Sequence, residues 1–254
     1  MALLIIFSFM ENKTNLLIRS KTVDSDSRRR FLRYAGFSAA TATTILAACE
    51  NAAMEPSTLG EGTGARVAAD GSIDLGSGDV GILNYAYALE QLEYAFYAQV
   101  IATPFSGMSN MERMILTDIR DHEKAHRDFF RAALGAAAIP ALSANFGAIN
   151  FNDRASVLST ARTFEDLGVS AYNGAGKLLS SPLNLSTAGK IVSVEARHAA
   201  IIRELLAPFT TSFAGDDVVT SDTGLDVVNM PGTVLAAAQP FVVQTITANN
   251  LPTM

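Results

Sequence analysis

The chain has 254 residues, 49% hydrophobic and 17% charged, with a formal net charge of −6 and no tryptophan. That is enough apolar material for one sizeable core. Nineteen basic against 25 acidic residues form no Lys/Arg stripe that could neutralise phosphates, so the composition argues against a nucleic-acid binder.

Residues 1–48 read as a leader. Ser27-Arg28-Arg29-Arg30-Phe31-Leu32-Arg33 resembles the twin-arginine export signal, and a mild apolar run, too short for a confident membrane span, follows from Tyr34 to Ala48. Leu46-Ala47-Ala48-Cys49 resembles a lipoprotein box, in which the cysteine is acylated and becomes the mature N-terminus. Cys49 is the only cysteine, so it forms no internal disulfide; the plain alternative is a small apolar residue in a helix. Cleavage before Cys49 would leave twelve basic against twenty-two acidic residues, giving little attraction to anionic lipid, so membrane association would rest on the anchor. The implied location is the cell envelope, periplasmic or otherwise extracytoplasmic. The apolar segment Met1 to Met10 lies far upstream of the arginines and is either part of a long leader or a mis-assigned start. The twin-arginine route implies export of a folded protein.

Residues 49–78 are rich in Gly, Ala, Ser and Glu without apolar periodicity, and are expected to be a flexible tether. A bundle is expected over 79–207. Ser77 to Asp79 supply caps for a first helix over 80–102, which Thr103-Pro104 ends. Ser109-Asn110-Met111-Glu112 is a capping box opening a second helix that runs to Leu134, with Gly135 as its stop. Residues 135–152 could extend to about 55 Å, more than the roughly 35 Å length of such a helix. They can therefore cross the whole bundle and start the third helix from the opposite end. That helix, capped by Asn152 or Asp153, is expected over 153–179; a turn over 180–187 leads to a fourth ending near Ala207-Pro208. The tail, 208–254, is expected to pack on the bundle with one short helix in the apolar piece Val234 to Val243.

The chemistry sits in two stretches, Glu123-Lys124-Ala125-His126 and Glu195-Ala196-Arg197-His198. Residues three apart share one face of a helix, so each Glu-x-x-His presents an oxygen and a nitrogen side by side. With eleven glutamates and three histidines in the chain, two such pairs are well above chance. Both lie on the seams expected to be buried: Leu116, Ile119, Glu123, His126, Phe130, and Ala188, Ile191, Glu195, His198, Ile202, Leu205. The first and third helices each place one carboxylate on a seam, Leu83, Tyr87, Glu90, Tyr94, Tyr97, Ile101 and Leu158, Ala161, Glu165, Gly168, Tyr172, Ala175, Leu179. A tyrosine follows each of those glutamates by seven residues, so the pattern Glu-x6-Tyr then Glu-x-x-His occurs twice. Four unpaired buried carboxylates would each cost several kcal/mol. Two divalent cations would cancel their charge, and neutral imidazoles would complete the shells.

These residues resemble the ligand set of the ferritin-like di-iron and di-manganese bundles. Leu89-Glu90-Gln91-Leu92-Glu93-Tyr94 and Phe164-Glu165-Asp166-Leu167-Gly168-Val169-Ser170-Ala171-Tyr172 resemble the bacterial and plant ferritin-like domain family that includes desiccation-related proteins. The likeness implies an all-α four-helix bundle with one long crossover between helices 2 and 3. It implies Glu90, Glu123, His126, Glu165, Glu195 and His198 as ligands of two Fe or Mn ions, with Tyr97 and Tyr172 beside them or simply as core aromatics. Glu93 competes with Glu90 through the stripe Ala86, Leu89, Glu93, Phe96, Val100; Glu90 is preferred because its offset to Tyr97 matches Glu165 to Tyr172, leaving Glu93 as an outer-shell or surface residue. His122 and His126 could instead form a His-x-x-x-His zinc pair, which would leave the seam carboxylates unexplained.

The expected activity is that of a dinuclear centre reacting with O2 or peroxide as peroxidase, catalase or ferroxidase. One cysteine leaves no rubredoxin-like relay, so reduction would need an external electron donor, unless the reaction is a peroxide dismutation. The alternatives are a stress protein in which metal is structural, and an iron-storage cage. A lipid anchor disfavours the cage and points to a monomer or homodimer.

Overall fold

A computed structural model of the protein describes residues 60–253. The leader, the lipobox and Cys49 lie outside the described residues. Four long helices dominate: α1 (Gly78–Ala102), α2 (Asn110–Leu134), α3 (Arg154–Gly176) and α4 (Pro182–Leu206). The fold is an all-α bundle in which α1 packs chiefly on α2 and α3 on α4. No helix among the described residues is long and apolar enough to cross a membrane.

The helix ends follow local chemistry. Ser109 and Glu112 form the reciprocal capping box of α2, and Gly135 ends it at φ +52°, a conformation costly for residues with a Cβ. Asp153 caps α3 by accepting from the Ser156 amide. Two boundaries differ from expectation. Helix α3 stops at Gly176, short of Leu179, and α4 begins at Pro182, inside the stretch expected to be a turn. Proline is well placed in the first turn of a helix, where its missing N–H would have no partner, and Ser181 caps it. Ser77 does not cap α1 with its side chain; its hydroxyl instead bonds Thr63.

The long connection from α2 to α3 follows α1 along its length. Asn84 accepts from the Ile139 amide, Gln91 accepts from the Leu142 amide, and Phe96 packs edge-on against Phe146. Three anchors spaced along one helix hold the crossover against it. As a result α1 is covered on nearly every side, with both its stripes buried.

The expected flexible tether is corrected over its described part, residues 60–78. This segment forms β1 (Arg66–Val67) and β2 (Ile73–Asp74), antiparallel to each other, and β2 pairs in parallel with β3 (Ile246–Thr247) near the other end of the chain. Ile73 and Leu75 are buried, and Asn84 donates to the Leu75 carbonyl. Gly76, at φ +89°, lets the strap turn where a Cβ would stand 2.0 Å from the Thr63 carbonyl oxygen. The partner strand lies about 170 residues away, so composition alone could not reveal it.

The tail packs on α3 and α4. Its short helix, α5 (Pro231–Ala238), buries Val234, Leu235 and Ala238. Asn229 donates from its amide to the Ser170 carbonyl, so close to α3 that a Cβ on Gly174 would stand 1.9 Å from the Asn229 carbonyl oxygen. Arg203, buried on α4, forks onto Asp166 of α3 and Asp217 of the tail.

Asp79 ties the start of α1 to the start of α4. Its carboxylate accepts from the Ser180 amide at 2.7 Å, the Ser180 hydroxyl at 2.8 Å, the Ser181 amide at 2.9 Å and Asn184 Nδ2 at 2.8 Å. Burial pushes its pKa up, but the donors of Ser180, Asn184 and Ser181 together outweigh burial and hold it below its ordinary 3.8. Asp79→Ala is expected to lower stability by about 2–3 kcal/mol at pH 7, read from urea unfolding. Because the folded value lies below the unfolded one, this stabilisation is complete above pH 3.8 and is lost as pH falls through the folded value, so the gap between variant and wild type closes on acidification.

Candidate metal centre

The four helices bring the seam residues to one place. Glu90 from α1, Glu123 and His126 from α2 and Glu195 from α4 converge in one group, and Glu123, Glu165 from α3, Glu195 and His198 in a second. Within each group the donor atoms lie within 4.8 Å of one another. Metal–ligand bonds of about 2.0–2.2 Å place opposite donors roughly 4.2 Å apart, so each group can close on a single cation. Glu90, Glu123 and Glu165 are fully buried, Glu195 is 1% exposed and His198 4%.

Glu123 and Glu195 belong to both groups, each offering one oxygen to either side. His126 Nδ1 stands 2.8 Å from Glu195 Oε1, 3.4 Å from Glu90 Oε2 and 3.6 Å from Glu123 Oε2. His198 Nδ1 stands 2.8 Å from Glu123 Oε1, 3.3 Å from Glu195 Oε2 and 3.6 Å from Glu165 Oε2. Glu123 and Glu195 thus lie between a Glu90–His126 pair on one side and a Glu165–His198 pair on the other.

The contacts are close, yet the atoms do not satisfy one another. Glu90 Oε2, both oxygens of Glu123 and of Glu195, Glu165 Oε2 and both Nδ1 atoms are buried with no partner in hydrogen-bond geometry. Buried polar groups are almost always bonded, so eight orphans aimed at two shared points fit a pair of cations.

Protons partly compensate the charge without metal. Burial draws His126 toward its neutral form, but Glu123, Glu195 and Glu90 push its pKa up to about 12. Burial acts the same way on His198, and Glu165, Glu123 and Glu195 raise it. Glu195 is pushed up by burial, yet the two imidazoles bring it below the ordinary range. Burial, then the charge of Glu195, raises Glu123. Cations would have to displace these protons, so loading is opposed by acid.

The oxygens turned away from the centre are bonded in a crossed pattern. Tyr97 of α1 donates to Glu165 Oε1 on α3, and Tyr172 of α3 donates to Glu90 Oε1 on α1. The seven-residue offset common to both halves thus serves the opposite half. Each tyrosine fixes its glutamate's rotamer and leaves Oε2 facing the centre.

His122 does not pair with His126. Its Nδ1 lies 2.9 Å from His198 Nε2, and the two rings stack nearly parallel, 5.2 Å apart. A cation held at His198 Nδ1 would leave the proton on Nε2, from which it would donate to His122 Nδ1. Its place one residue before Glu123 gave no sign of this, because the contact crosses from α2 to α4. Glu93 is 4% exposed, which removes the surface alternative for it and leaves the outer-shell one.

Residues 78–208 match the ferritin-like domain family, and with that match spanning half the chain, the protein belongs to this family. A search of curated proteins found no match to the chain.

Shared and terminal carboxylates should behave differently on mutation. Glu123→Ala removes a donor from both groups and is expected to abolish binding of both ions, whereas Glu90→Ala should leave one ion per chain, counted by elemental analysis. His122→Ala is expected to keep the stoichiometry and weaken affinity about 10- to 100-fold, measured by competition with a chromophoric chelator.

Proposed function

We propose that the protein binds two iron or manganese ions between its four long helices and uses them to react with O2 or peroxide. The observation that carries this reading is the set of eight buried, unbonded donor atoms arranged as two groups sharing Glu123 and Glu195. Glu90 with His126 would hold one ion and Glu165 with His198 the other. Four carboxylates balance two divalent charges, and imidazole with carboxylate suits both metals. When bound, such a pair supplies or accepts two electrons by passing between the +2 and +3 states.

The chain's own residues favour reactivity over a sealed structural site. The His126 side chain is 14% exposed against 5% for His198, so the centre has a thinner wall on that side. An apolar cavity lined by Tyr85, Leu89, Phe130, Tyr172 and Ala175 reaches the tyrosine that bonds Glu90. Its open volume of about 20 Å³ holds one water-sized molecule, which suits a small oxidant. The hydroxyl protons of Tyr97 and Tyr172 rest on the outer oxygens of the terminal carboxylates and keep those oxygens from the cations.

The resemblance of residues 27–33 to a twin-arginine signal and of residues 46–49 to a lipobox supports export and lipid attachment through Cys49, which would put this chemistry in the cell envelope. Electrons would come from an external donor. The test is to purify the exported protein with its metals, count them, and follow O2 and peroxide consumption. The expected result is two Fe or Mn per chain and turnover that Glu123→Ala removes. Full metal with no reaction toward either oxidant, but a lower melting temperature after chelation, would instead support the structural-metal reading that the desiccation-related resemblance suggests.

A further inference from the structure

The tail does more than cover the bundle. Residues 218–227 form a hairpin, closed by the Val227 amide on the Val218 carbonyl and the Thr220 amide on the Leu225 carbonyl, both at 2.9 Å, with Gly224 turning at φ +66°. Two contacts hold it to the helices: Arg203 of α4 forks onto Asp217 just before it, and Asn173 of α3 donates to the Val227 carbonyl at 3.2 Å. The hairpin is fixed, yet it does not pack flush. A cleft of about 220 Å³ lies between the tail and the two helices. One water needs only about 10–15 Å³ of such space, so the cleft is sized for an organic molecule.

Its walls are apolar and its charges do not balance. Val169 of α3 and Ala196 and Ala200 of α4 meet Phe213, Val218 and Val219 of the tail around it, and the alanines leave room that larger side chains would fill. Asp166, Arg203 and Asp226 also line it, and no residue of the metal centre does. Arg203 is committed elsewhere: Nε and Nη2 donate to Asp166 at 2.8 and 2.7 Å, and Nη1 and Nη2 to Asp217 at 3.1 and 2.8 Å. Asp226 is left over. No side chain among the described residues bonds or pairs with it, and its Oδ1 is buried without a partner. Burial raises its pKa above the ordinary 3.8 against the pull of the Val227 amide, and the charge of Asp166 adds to the rise. A carboxylate beside apolar walls with no cation of its own is where a cationic ligand gains most.

We propose that this cleft binds a small organic cation, a primary ammonium carrying an apolar body, with its charge at Asp226 and its body against the alanine and valine walls. The ammonium donors supply the partner that Asp226 lacks, and the body covers apolar surface that the tail leaves open. A neutral molecule of the same shape gains the walls alone. An anion meets Asp226 and Asp166 as like charges. The site belongs to the tail and the outer residues of α3 and α4, and it stands whether or not metal is bound between the helices.

The test is calorimetric titration of the full exported protein with 2-phenylethylammonium, and with 2-phenylethanol and 3-phenylpropionate as its neutral and anionic counterparts. One ammonium ion is expected to bind per chain, at least tenfold more tightly than the alcohol, with the anion weakest. Asp226→Asn, which keeps the shape and removes the charge, should bring the ammonium ion down to the affinity of the alcohol. Ala200→Leu, which fills the cleft, should weaken both ligands. Circular dichroism checks that each variant is folded, and if Asp226→Asn is not, Ala200→Leu and the three-ligand comparison on the wild type decide. No binding of the ammonium ion, equal affinity for it and the alcohol, or an affinity that neither variant alters would overturn the proposal.

Discussion

The structure depends on the repulsion among carboxylates gathered in a dry interior and on what neutralises it. Glu90, Glu123, Glu165 and Glu195 are each essentially inaccessible, and the nearest cationic groups are two imidazoles on the same seams. In a medium of low polarity like charges at such distances oppose folding strongly. Protonated histidines and two tyrosine hydroxyls relieve part of this, and the remaining oxygens and nitrogens face two common points. A cation at each point would satisfy charge and geometry together.

The rest of the fold holds those groups still. Two helix hairpins supply one Glu-x-x-His motif each, and the crossover, the N-terminal strap and the tail wrap the outside so that the seams cannot open. Crossed bonds from Tyr97 and Tyr172 link α1 and α3 through Glu165 and Glu90, and His122 links α2 to α4 through His198. Positioning thus comes from pairs of elements distant in sequence, each holding the other's side chains in place.

Much of this was legible in the chain because helical periodicity is local. The Glu-x-x-His spacing, the seams of α2 and α4, the capping box at Ser109 and the stop at Gly135 are each set by residues a turn or two apart. The length of the connection from α2 to α3 left room for a crossover. What escaped depends on long-range partners. Residues 60–78 look polar and small, yet they are ordered by pairing with Ile246–Thr247. By its spacing Glu93 stays between an outer-shell and a surface place because a bundle helix is expected to bury one stripe; α1 buries two, since the crossover lies along its other side. Helix α4 begins earlier than expected because Pro182 acts as a helix start and not as a break.

The central claim is that two cations sit between these side chains. Anomalous diffraction from crystals of the metal-loaded protein, recorded on either side of the metal's absorption edge, addresses it most directly. The account requires two peaks, one beside His126 Nδ1 and one beside His198 Nδ1, with Glu123 and Glu195 reaching both. A single peak, or peaks elsewhere with those two carboxylates uncoordinated, would contradict it.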